Sequence, residues 1–547
     1  MSEHEPMSGH DDARLAVGLI LTALLTLTTY IGVIGLDFVW DDRALVLENP
    51  LIRDLRLIPA YFRADLWSTD ESAASSGYYR PLMLLSLAAD YALFTLRPAG
   101  YHLHSLLWHL LACGALALLL RQLVPPTAVL LGSALFALHP IQSETVVWIA
   151  ARNDSMAATF ALLSLWLVVN REVAGGRLAG AAMLSGLALL AKESVLFLPA
   201  ALLVLDLARG QLGGWRRHAA ISGGLLAALI LRGLSGVGET PLPTADAAAL
   251  VLQRIPQILA LIGTMIAWPS TLSSAWSLEW LSLSQPRFFF GLCVLLLLAG
   301  LPMVMSGPRR KMALAGLAIA VMFYLPAVLP IASKGLVGER YLYLPMAGLM
   351  LWAVSMLPGR RIWVLAVLLP LCVLRVQDRV PDWTQERGLW EAAVHDAPNP
   401  FSYTGLAHAL NTDDGDRETA LRLFMASLAD PLPYWGACGT PITAAYRTGR
   451  PALAAQVGWW SRRRGCPADG DFSGRMAVAL AAAGDWEEAE TMLGGELPDP
   501  SGRSTVVEAA LRLRRGDTMG YDQLCASWQG AIPLESQVRA LMRLEDD

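Results

Sequence analysis

Charged residues are scarce in this sequence. Only 16% of its 547 residues are Asp, Glu, Lys or Arg, whereas 54% are hydrophobic and the mean hydropathy is +0.44. Soluble domains carry about 25% charged residues, so the composition argues against a soluble multi-domain enzyme and against a disordered chain. The net charge of -5 leaves no basic face for a phosphate backbone, which excludes nucleic acid as a partner.

Cysteine and lysine are also rare. Six cysteines do not make a disulfide scaffold, and the sequence has no CxxC pair or Cys/His cluster of the kind that holds zinc. Three lysines stand against 39 arginines, which is typical of proteins from GC-rich bacteria. The few positions that keep lysine indicate a need for a compact cation.

Long apolar runs dominate the first two thirds of the chain. A helix of about 17 to 25 apolar residues crosses a bilayer, and runs near this length recur here. They predict a membrane protein with eleven spans. We place these spans at residues 15–36, 103–121, 127–140, 153–170, 177–191, 194–208, 219–233, 288–305, 312–330, 340–357 and 362–377.

Basic residues in the short connections predict the orientation of the spans. They cluster at alternate connections, and cytoplasmic loops are the ones enriched in Lys and Arg. The N-terminus is then cytoplasmic, and its acidic start and long first span predict an anchor instead of a secretory signal. Residues 37–102, 234–287 and 378–547 are then external, provided that the apolar stretch 250–268 does not cross.

The C-terminal third has a different pattern. After residue 377 charge returns, and four glycines recur at about the 34-residue period of tetratricopeptide (TPR) repeats: Gly415, Gly449, Gly484 and Gly516. This spacing predicts stacked helix pairs with a concave groove; the alternative is an unrelated helical bundle. Cys438 and Cys466 lie in adjacent predicted repeats, and an external location allows them to pair.

Two polar clusters flank the first predicted external loop. Asp41 and Asp42 follow the first span, and adjacent carboxylates raise each other's proton affinity, which suits acid/base chemistry. The alternative is a solvated helix end. Arg80 precedes a proline-initiated helix that runs to about Phe94 and is predicted to lie at the interface. His102 opens the second span, where it is either site-lining or satisfied within the bundle.

Three further clusters lie at predicted external connections. They are His139, Glu144, Arg152 and Asp154; Lys192 with Glu193; and Lys334, Glu339, Arg340 and Tyr341. Cations at headgroup depth bind lipid phosphates. The structural alternatives are a Glu144–Arg152 pair that holds a hairpin and a Glu339–Arg340 pair that anchors a span.

All five clusters fall on the same predicted membrane face. The orientation is derived only from basic residues in the short cytoplasmic loops. The placement of all five clusters on one face is therefore not built into it. Carboxylates facing cations at one surface suit transfer from a phosphate-carrying lipid to an external acceptor. A carboxylate deprotonates the acceptor hydroxyl, and the cations stabilise the departing phosphate.

The motifs WDD, YYRP, GYHLHSLLWH, ALHPIQSETVVWIAAR, AKES and GERYLYLP occur in this order over residues 37–345, and the repeats follow. The ordered set resembles the transmembrane and tetratricopeptide-repeat O-mannosyltransferases and their bacterial relatives. The resemblance implies a C-type (GT-C) glycosyltransferase fold. We therefore expect an all-α chain, with a GT-C-like membrane bundle over residues 1–377 and an external TPR-like α-solenoid over residues 378–547.

The resemblance also implies roles for matching residues. The catalytic base is Asp41 or Asp42, with Asp42 slightly favoured. Arg340 would contact the donor phosphate, His139, Glu144 and Arg152 would line the site, and Arg80 would lie beside it. From the polar clusters themselves, Lys334 and Arg80 are added as phosphate-binding candidates. The clusters also add further site-lining candidates: Asp154, His102, Lys192, Glu339 and Tyr341. Relatives with such acidic pairs often need no metal, so neither a metal nor another cofactor is expected.

The leading hypothesis is a glycosyltransferase of the bacterial inner membrane. It would move a sugar, with mannose favoured, from a polyprenyl-phosphate donor in the bilayer to a protein hydroxyl, and its TPR groove would receive the acceptor protein. One alternative keeps the chemistry but uses a glycolipid or envelope polysaccharide as acceptor. The other is a non-enzymatic membrane scaffold. A transporter would show two related halves, and the sequence has no such symmetry.

Overall fold

A computed structural model describes residues 9–68, 76–238, 245–267, 269–277, 286–411, 415–429, 438–464, 466, 470–493, 503–528 and 533–543. Within these ranges the secondary structure is helical apart from one pair of two-residue strands, which confirms the predicted all-α class. The chain divides into two compact units, residues 1–397 and 398–547. Residues 378–397 fall within the first unit, where Trp390 packs edge-on against Trp40.

The α-helices of the first unit are α1 (Gly9–Thr29), α2 (Ile58–Tyr61), α3 (Pro81–Phe94), α4 (Pro98–Arg121), α5 (Pro126–Leu138), α6 (Ser143–Val147), α7 (Arg152–Val168), α8 (Gly175–Ala191), α9 (Leu198–Arg209), α10 (Trp215–Leu234), α11 (Ala245–Ala267), α12 (Pro286–Gly300), α13 (Gly307–Tyr324), α14 (Val328–Lys334), α15 (Pro345–Met356), α16 (Leu368–Arg379) and α17 (Glu386–Asp396). The bounds of α3 confirm the proline-initiated helix predicted there.

Short helical turns connect these helices. One is a π-helical turn, Arg43–Leu47, directly after the acidic pair. The others are 3-10 helices: Ile31–Gly35, Leu51–Arg53, Leu55–Leu57, Pro140–Gln142, Ile149–Ala151, Glu193–Val195, Leu301–Val304, Leu325–Ala327, Glu339–Leu342, Gly359–Val367 and Val380–Trp383. Many of the candidate site residues lie in these turns, at the ends of apolar helices.

The first unit is built as a membrane protein. In the described residues, three segments are long and apolar enough to cross a bilayer: Asp12–Gly35, Pro98–Arg121 and Gly307–Ser333. Shorter apolar helices in this unit occupy Pro81–Phe94, Pro126–Leu138, Gly175–Ala191, Val251–Ala267, Phe289–Val304 and Pro345–Met356. Helices cover all eleven predicted spans. The number of crossings and their orientation stay predictions.

Glycines let neighbouring helices approach closely. A Cβ on Gly224 of α10 would lie 1.9 Å from the carbonyl oxygen of Ala182 in α8. Between α13 and α15, a Cβ on Gly316 would lie 2.6 Å from the carbonyl oxygen of Gly348. Small residues at helix contacts are typical of membrane bundles, where van der Waals packing drives helix association. These contacts fix the helices whose ends carry the polar clusters.

The strand pair brings one loop to the candidate site. Strand β1 (Trp276–Ser277) pairs antiparallel with β2 (Leu336–Val337), with Trp276 opposite Val337. Strand β2 lies just before the 3-10 helix that contains Glu339 and Arg340. The pairing therefore fixes the entry to the GERYLYLP segment.

The second unit consists of helix pairs. Its helices are α18 (Pro400–Ala409), α19 (Arg417–Ala429), α20 (Thr440–Arg447), α21 (Pro451–Arg463), α22 (Gly470–Ala482), α23 (Trp486–Leu493), α24 (Arg503–Arg514), α25 (Thr518–Ser527) and α26 (Leu534–Arg543). All four repeat glycines have left-handed φ values, from 67° to 87°, and each joins the two helices of a pair. Glycine adopts this conformation without the cost a side chain would add.

The second unit contains a disulfide bond. Cys438 and Cys466 are bonded, with Cα atoms 5.7 Å apart. The sequence allowed this pairing but did not determine it. Cys113, Cys293, Cys372 and Cys525 are free.

Candidate functional site

The central contact of the site joins Glu144 of α6 to Arg340. Nη1 of Arg340 donates to Oε1 of Glu144 at 2.6 Å, and the Arg340 backbone N–H donates to Oε2 at 2.8 Å. The Glu144 side chain is fully buried, whereas that of Arg340 is 19% exposed. Burial raises the pKa of Glu144, although the Arg340 guanidinium opposes the shift. The pair thus holds Arg340 in place while part of its cation stays accessible.

Two stacked indoles cover the Arg340 guanidinium. The rings of Trp40 and Trp148 lie 4.4 Å apart and within 5° of parallel. Cζ of Arg340 is 4.9 Å from the Trp148 ring centre and 5.8 Å from that of Trp40. Trp40 has a left-handed φ of 54°, uncommon for a bulky residue, and its N–H donates to Glu386 Oε2 at 2.5 Å. The turn that presents the acidic pair is therefore firmly held.

The acidic pair divides into a buried and a half-buried residue. Asp42 is fully buried. Its Oδ1 accepts from the Ala150 N–H at 2.8 Å, and its Oδ2 accepts from the Val39 N–H at 3.4 Å. Burial raises the pKa of Asp42 well above its usual range, against the effect of these two N–H groups. Asp41 is half-buried. Asp42 thus ties its loop to the segment after Trp148, and Asp41 is the more accessible carboxylate.

Two further cations lie near Arg340. Nη2 of Arg80 donates to both carboxylate oxygens of Glu193, at 3.1 and 2.9 Å. Nζ of Lys192 donates to Asp154 Oδ2 at 2.5 Å. Burial disfavours the charged forms of both Glu193 and Lys192. For Glu193, the Arg80 cation, the residue's own backbone N–H and the Lys192 cation together outweigh burial and lower its pKa, whereas the pKa of Lys192 falls despite Asp154.

Tyr341 connects these ion pairs. Its ring centre is 5.0 Å from Cζ of Arg340 and 5.8 Å from Nζ of Lys192. Arg80 packs on the ring of Tyr78 at 4.7 Å and acts electrostatically on Tyr341. We call Arg80, Lys192 and Arg340 the cation cluster. Its members come from three of the motifs that sequence analysis singled out.

Arg152 has a different partner from the one considered above. The pairing of Arg152 with Glu144 is wrong, because Glu144 is held by Arg340. Arg152 is fully buried and binds the carboxylate of Asp90 in α3. It also donates to Ser86 Oγ and to Ser105 Oγ, each at 3.0 Å. Arg152 therefore joins α3, α4 and α7 and acts as a structural tie.

The two candidate histidines, His102 and His139, make hydrogen bonds to the backbone within the fold. The Ile141 N–H donates to Nδ1 of His139 at 3.3 Å, so the ring proton of His139 is on Nε2. This Nε2–H donates to the Ile266 carbonyl at 3.0 Å. His139 thus ties α5 to the end of α11 as a neutral ring. His102 is buried, with Nε2 donating to the Asp37 carbonyl at 3.3 Å.

Glu339 does not form the pair with Arg340 that sequence analysis allowed, because Arg340 binds Glu144. The Glu339 carboxylate is fully buried. Burial raises the pKa of Glu339 to about 8, against the opposing charge of Arg379. The side chain of Lys334, a predicted phosphate contact, lies outside the described residues.

The described residues contain no group of three or more His, Cys, Asp or Glu side chains placed to hold a metal ion. Instead, the site offers three oriented cations, two stacked indoles and a half-buried carboxylate. Oriented cations bind phosphate oxygens, and a carboxylate accepts a proton from a hydroxyl. The roles of Asp90, Glu386 and the stacked tryptophans were not predicted from the sequence, although both tryptophans lie within the quoted motifs.

Fold and site together define a helical membrane protein with a charged site at the ends of its helices. No family model matches the chain. The chain is 33% identical to protein O-mannosyl-transferase Tmtc1 of Drosophila melanogaster over 184 residues, which are 33% of this chain and 21% of that relative. It is 34% identical to Tmtc2 of the same fly over 143 residues, 26% of this chain and 15% of that protein.

The human protein O-mannosyl-transferase TMTC3 is 29% identical over 126 residues, 23% of this chain and 14% of the relative. The chain is thus related to the protein O-mannosyl-transferases, which confirms the family resemblance drawn from the motifs. The matched segments span between 14% and 21% of the length of these relatives.

Proposed function

We propose that the chain is an integral-membrane glycosyltransferase that moves a sugar, with mannose favoured, from a polyprenyl-phosphate donor to a protein hydroxyl. The single observation that carries this proposal is the cation cluster around Tyr341, beside the turn that holds Asp41 and Asp42. Relatives named protein O-mannosyl-transferases support the same chemistry.

In the proposed reaction, Asp41 accepts the proton of the acceptor hydroxyl. The hydroxyl oxygen forms a bond to the anomeric carbon of the sugar as the bond from that carbon to the phosphate oxygen breaks. The polyprenyl phosphate leaves with the bonding electrons, and the cation cluster stabilises its charge. We assign the base to Asp41 because both oxygens of Asp42 accept backbone hydrogen bonds and Asp42 is fully buried.

Arg340 is the main phosphate contact in this proposal. Its guanidinium is fixed by Glu144 and partly exposed, so it is oriented before the donor arrives. Arg80 and Lys192 would extend the phosphate site around Tyr341. Arg80 and Arg340 each have a carboxylate partner, so their charges are maintained in a partly buried site.

We further propose that the site and the second unit lie on the external face of a bacterial inner membrane. The disulfide between Cys438 and Cys466 supports this location, because such bonds persist outside the reducing cytoplasm. The four glycine-turned helix pairs support a TPR-like solenoid, and its groove would receive the acceptor protein. A glycolipid or envelope polysaccharide is the alternative acceptor for the same chemistry.

The test uses purified protein in nanodiscs with decaprenyl-phosphate mannose, labelled in the sugar, and a cell-envelope extract. We expect label to leave the lipid and to appear in protease-sensitive material. Label in protease-resistant glycolipid or polysaccharide would instead assign the alternative acceptor. If no label leaves this donor or decaprenyl-phosphate carrying other sugars, while the protein stays folded, the transferase proposal is wrong.

A further inference from the structure

Next to the stacked indoles lies a group of buried side chains in which several polar atoms lack hydrogen-bond partners. We call it the inner polar cluster: Gln142, Trp148, Glu339, Arg379 and Trp383. The unpartnered atoms are both amide atoms of Gln142, both oxygens of Glu339, Nε and Nη2 of Arg379, and the two indole nitrogens. Each residue is at most 3% exposed. One member, Arg379, also donates through Nη1 to Asp382 Oδ2 at 3.0 Å. The Ser273 N–H favours ionised Glu339 electrostatically but does not meet hydrogen-bond geometry with it.

These side chains form one continuous group. The rings of Trp148 and Trp383 lie 6.1 Å apart, and Cζ of Arg379 is 5.9 Å from the Trp383 ring centre. Arg379 is the main opposite charge acting on Glu339. The 3-10 helix that ends at Gln142 packs against both the Glu339–Leu342 turn and α16. Three separate stretches of the chain, residues 142–148, 339 and 379–383, thus place their polar groups in the same buried region.

Such a cluster is costly in a ligand-free protein. Native structures pair nearly all buried polar atoms, and an unpaired buried donor or acceptor is destabilising. An apolar core at these positions would give a more stable fold. Residues that reduce stability in this way are typical of sites kept for function.

The chemistry of the unpartnered atoms indicates the ligand. The guanidinium, the amide NH₂ and the two indoles donate, whereas the amide oxygen and the Glu339 carboxyl accept. Hydroxyl groups satisfy both kinds, because each one donates and accepts. Flat indole faces pack against the apolar faces of a pyranose ring. This combination fits a hexose better than a peptide, which has no such density of hydroxyls.

We propose that the inner polar cluster is the closed form of a subsite that binds the hexose of the lipid-linked donor through its hydroxyls. This inference rests on the proposed function and adds the residues that would recognise the sugar. Trp148 connects this subsite to the phosphate site, because its ring packs on Arg340 as well as on Trp40. Displacement of its indole would open the cluster when a phosphate engages Arg340.

The test measures how tightly the full chain, held in nanodiscs, binds two lipids, one that carries a sugar and one that does not. The probes are decaprenyl phosphate and decaprenyl-phosphate mannose, and the variant is Gln142→Leu. We expect the wild type to bind the mannosylated lipid at least about tenfold more tightly, the difference one or two hydrogen bonds supply. Gln142→Leu should lose this preference, bind decaprenyl phosphate as before, and have a ligand-free Tm equal to or above the wild type.

Ser143→Ala is the matched control. Its buried Oγ donates to the Pro140 carbonyl at 2.6 Å, so its removal should lower the Tm and leave the preference for the mannosylated lipid intact. Trp383→Phe keeps an aromatic ring at this position but removes the indole N–H. It should weaken the preference, and it serves as a second variant if Gln142→Leu does not fold.

The outcomes separate the two proposals. If the wild type binds neither lipid, the proposed function fails. If the wild type binds both lipids equally, only the sugar subsite fails. The subsite is also overturned if folded Gln142→Leu keeps the sugar preference, or if it loses affinity for both lipids by the same factor.

Discussion

Arg340 binds both carboxylate oxygens of Glu144, one through Nη1 at 2.6 Å and the other through its backbone N–H at 2.8 Å. The two residues are 196 positions apart, so this contact ties the loop between α5 and α7 to the segment before α15. It also sets where the guanidinium stands relative to Trp148. The geometry of the proposed phosphate site therefore depends on one buried carboxylate.

Glu144→Gln should destabilise the protein by about 3 kcal/mol, because removal of one member of a buried ion pair leaves the other charge uncompensated. Thermal unfolding of the purified protein measures this loss. Glu391→Gln is the control: Glu391 accepts from Arg387 in α17, both side chains are 50% exposed, and a surface pair contributes about 0.5 kcal/mol or less. Equal shifts in the two variants would show that the Glu144 pair is not structurally important.

Glu339 makes stability depend on pH. Burial raises its pKa from 4.5 to about 8, so the folded protein binds a proton in this range that the unfolded chain releases. Its contribution to stability is complete below pH 4.5 and is lost as the pH rises through about 8. Arg379, Arg375, Glu144 and the Ser273 N–H act on this group.

The wild-type Tm should therefore fall between about pH 5 and about pH 8.5, and Glu339→Gln should show a smaller fall over the same range. Thermal scans of both proteins across this interval give the comparison. Parallel pH profiles would mean that Glu339 has the same pKa in the folded and unfolded states.

The disulfide should contribute substantially to the second unit. Its cysteines are 28 residues apart, and closing a loop of this size stabilises the folded state by about 3.5 kcal/mol. The full-length Cys438→Ala/Cys466→Ala variant should expose cleavage sites in the second unit to limited proteolysis at a lower temperature. The free Cys525→Ala variant is the control, and an identical proteolysis profile for both variants would contradict the prediction.

The proposed orientation predicts opposite accessibility for two exposed residues. Met519 in the second unit and Trp215 at the start of α10 are each 72% exposed. In intact cells, Met519→Cys should react with a membrane-impermeant maleimide, whereas Trp215→Cys should react only after lysis. The wild type gives the background from its own thiols. If Trp215→Cys reacts without lysis and Met519→Cys does not, the orientation is the reverse of the one proposed.

Local sequence patterns predicted the elements more successfully than the pairings. Apolar runs and Pro81 predicted helices where the structure has them, and the repeat glycines predicted the turns, because these features depend on nearby residues. The partner of Glu144 was harder to predict. Arg152 lies eight residues away, yet Glu144 pairs with the distant Arg340 because packing of α5, α7 and α15 brings those turns together.

The acidic pair shows the same limit. Asp41 and Asp42 are equivalent in sequence, and their difference arises from contacts with a segment about 100 residues away. The Ala150 N–H lies 2.8 Å from Asp42 Oδ1, and burial of this contact leaves Asp41 more accessible. Likewise, Asp90 in α3, the partner of Arg152, lies 62 positions away and has no local signature.

The central claim is that Asp41 is the base of a sugar transfer from a lipid phosphate. The most direct measurement is the rate at which purified wild type, Asp41→Asn and the Ser143→Ala control transfer labelled mannose from decaprenyl-phosphate mannose to an envelope extract. Loss of a general base costs about 10² to 10⁴ in rate. We predict such a loss for Asp41→Asn with an unchanged Tm, and near wild-type transfer by the control. Transfer by Asp41→Asn at the wild-type rate would contradict the claim.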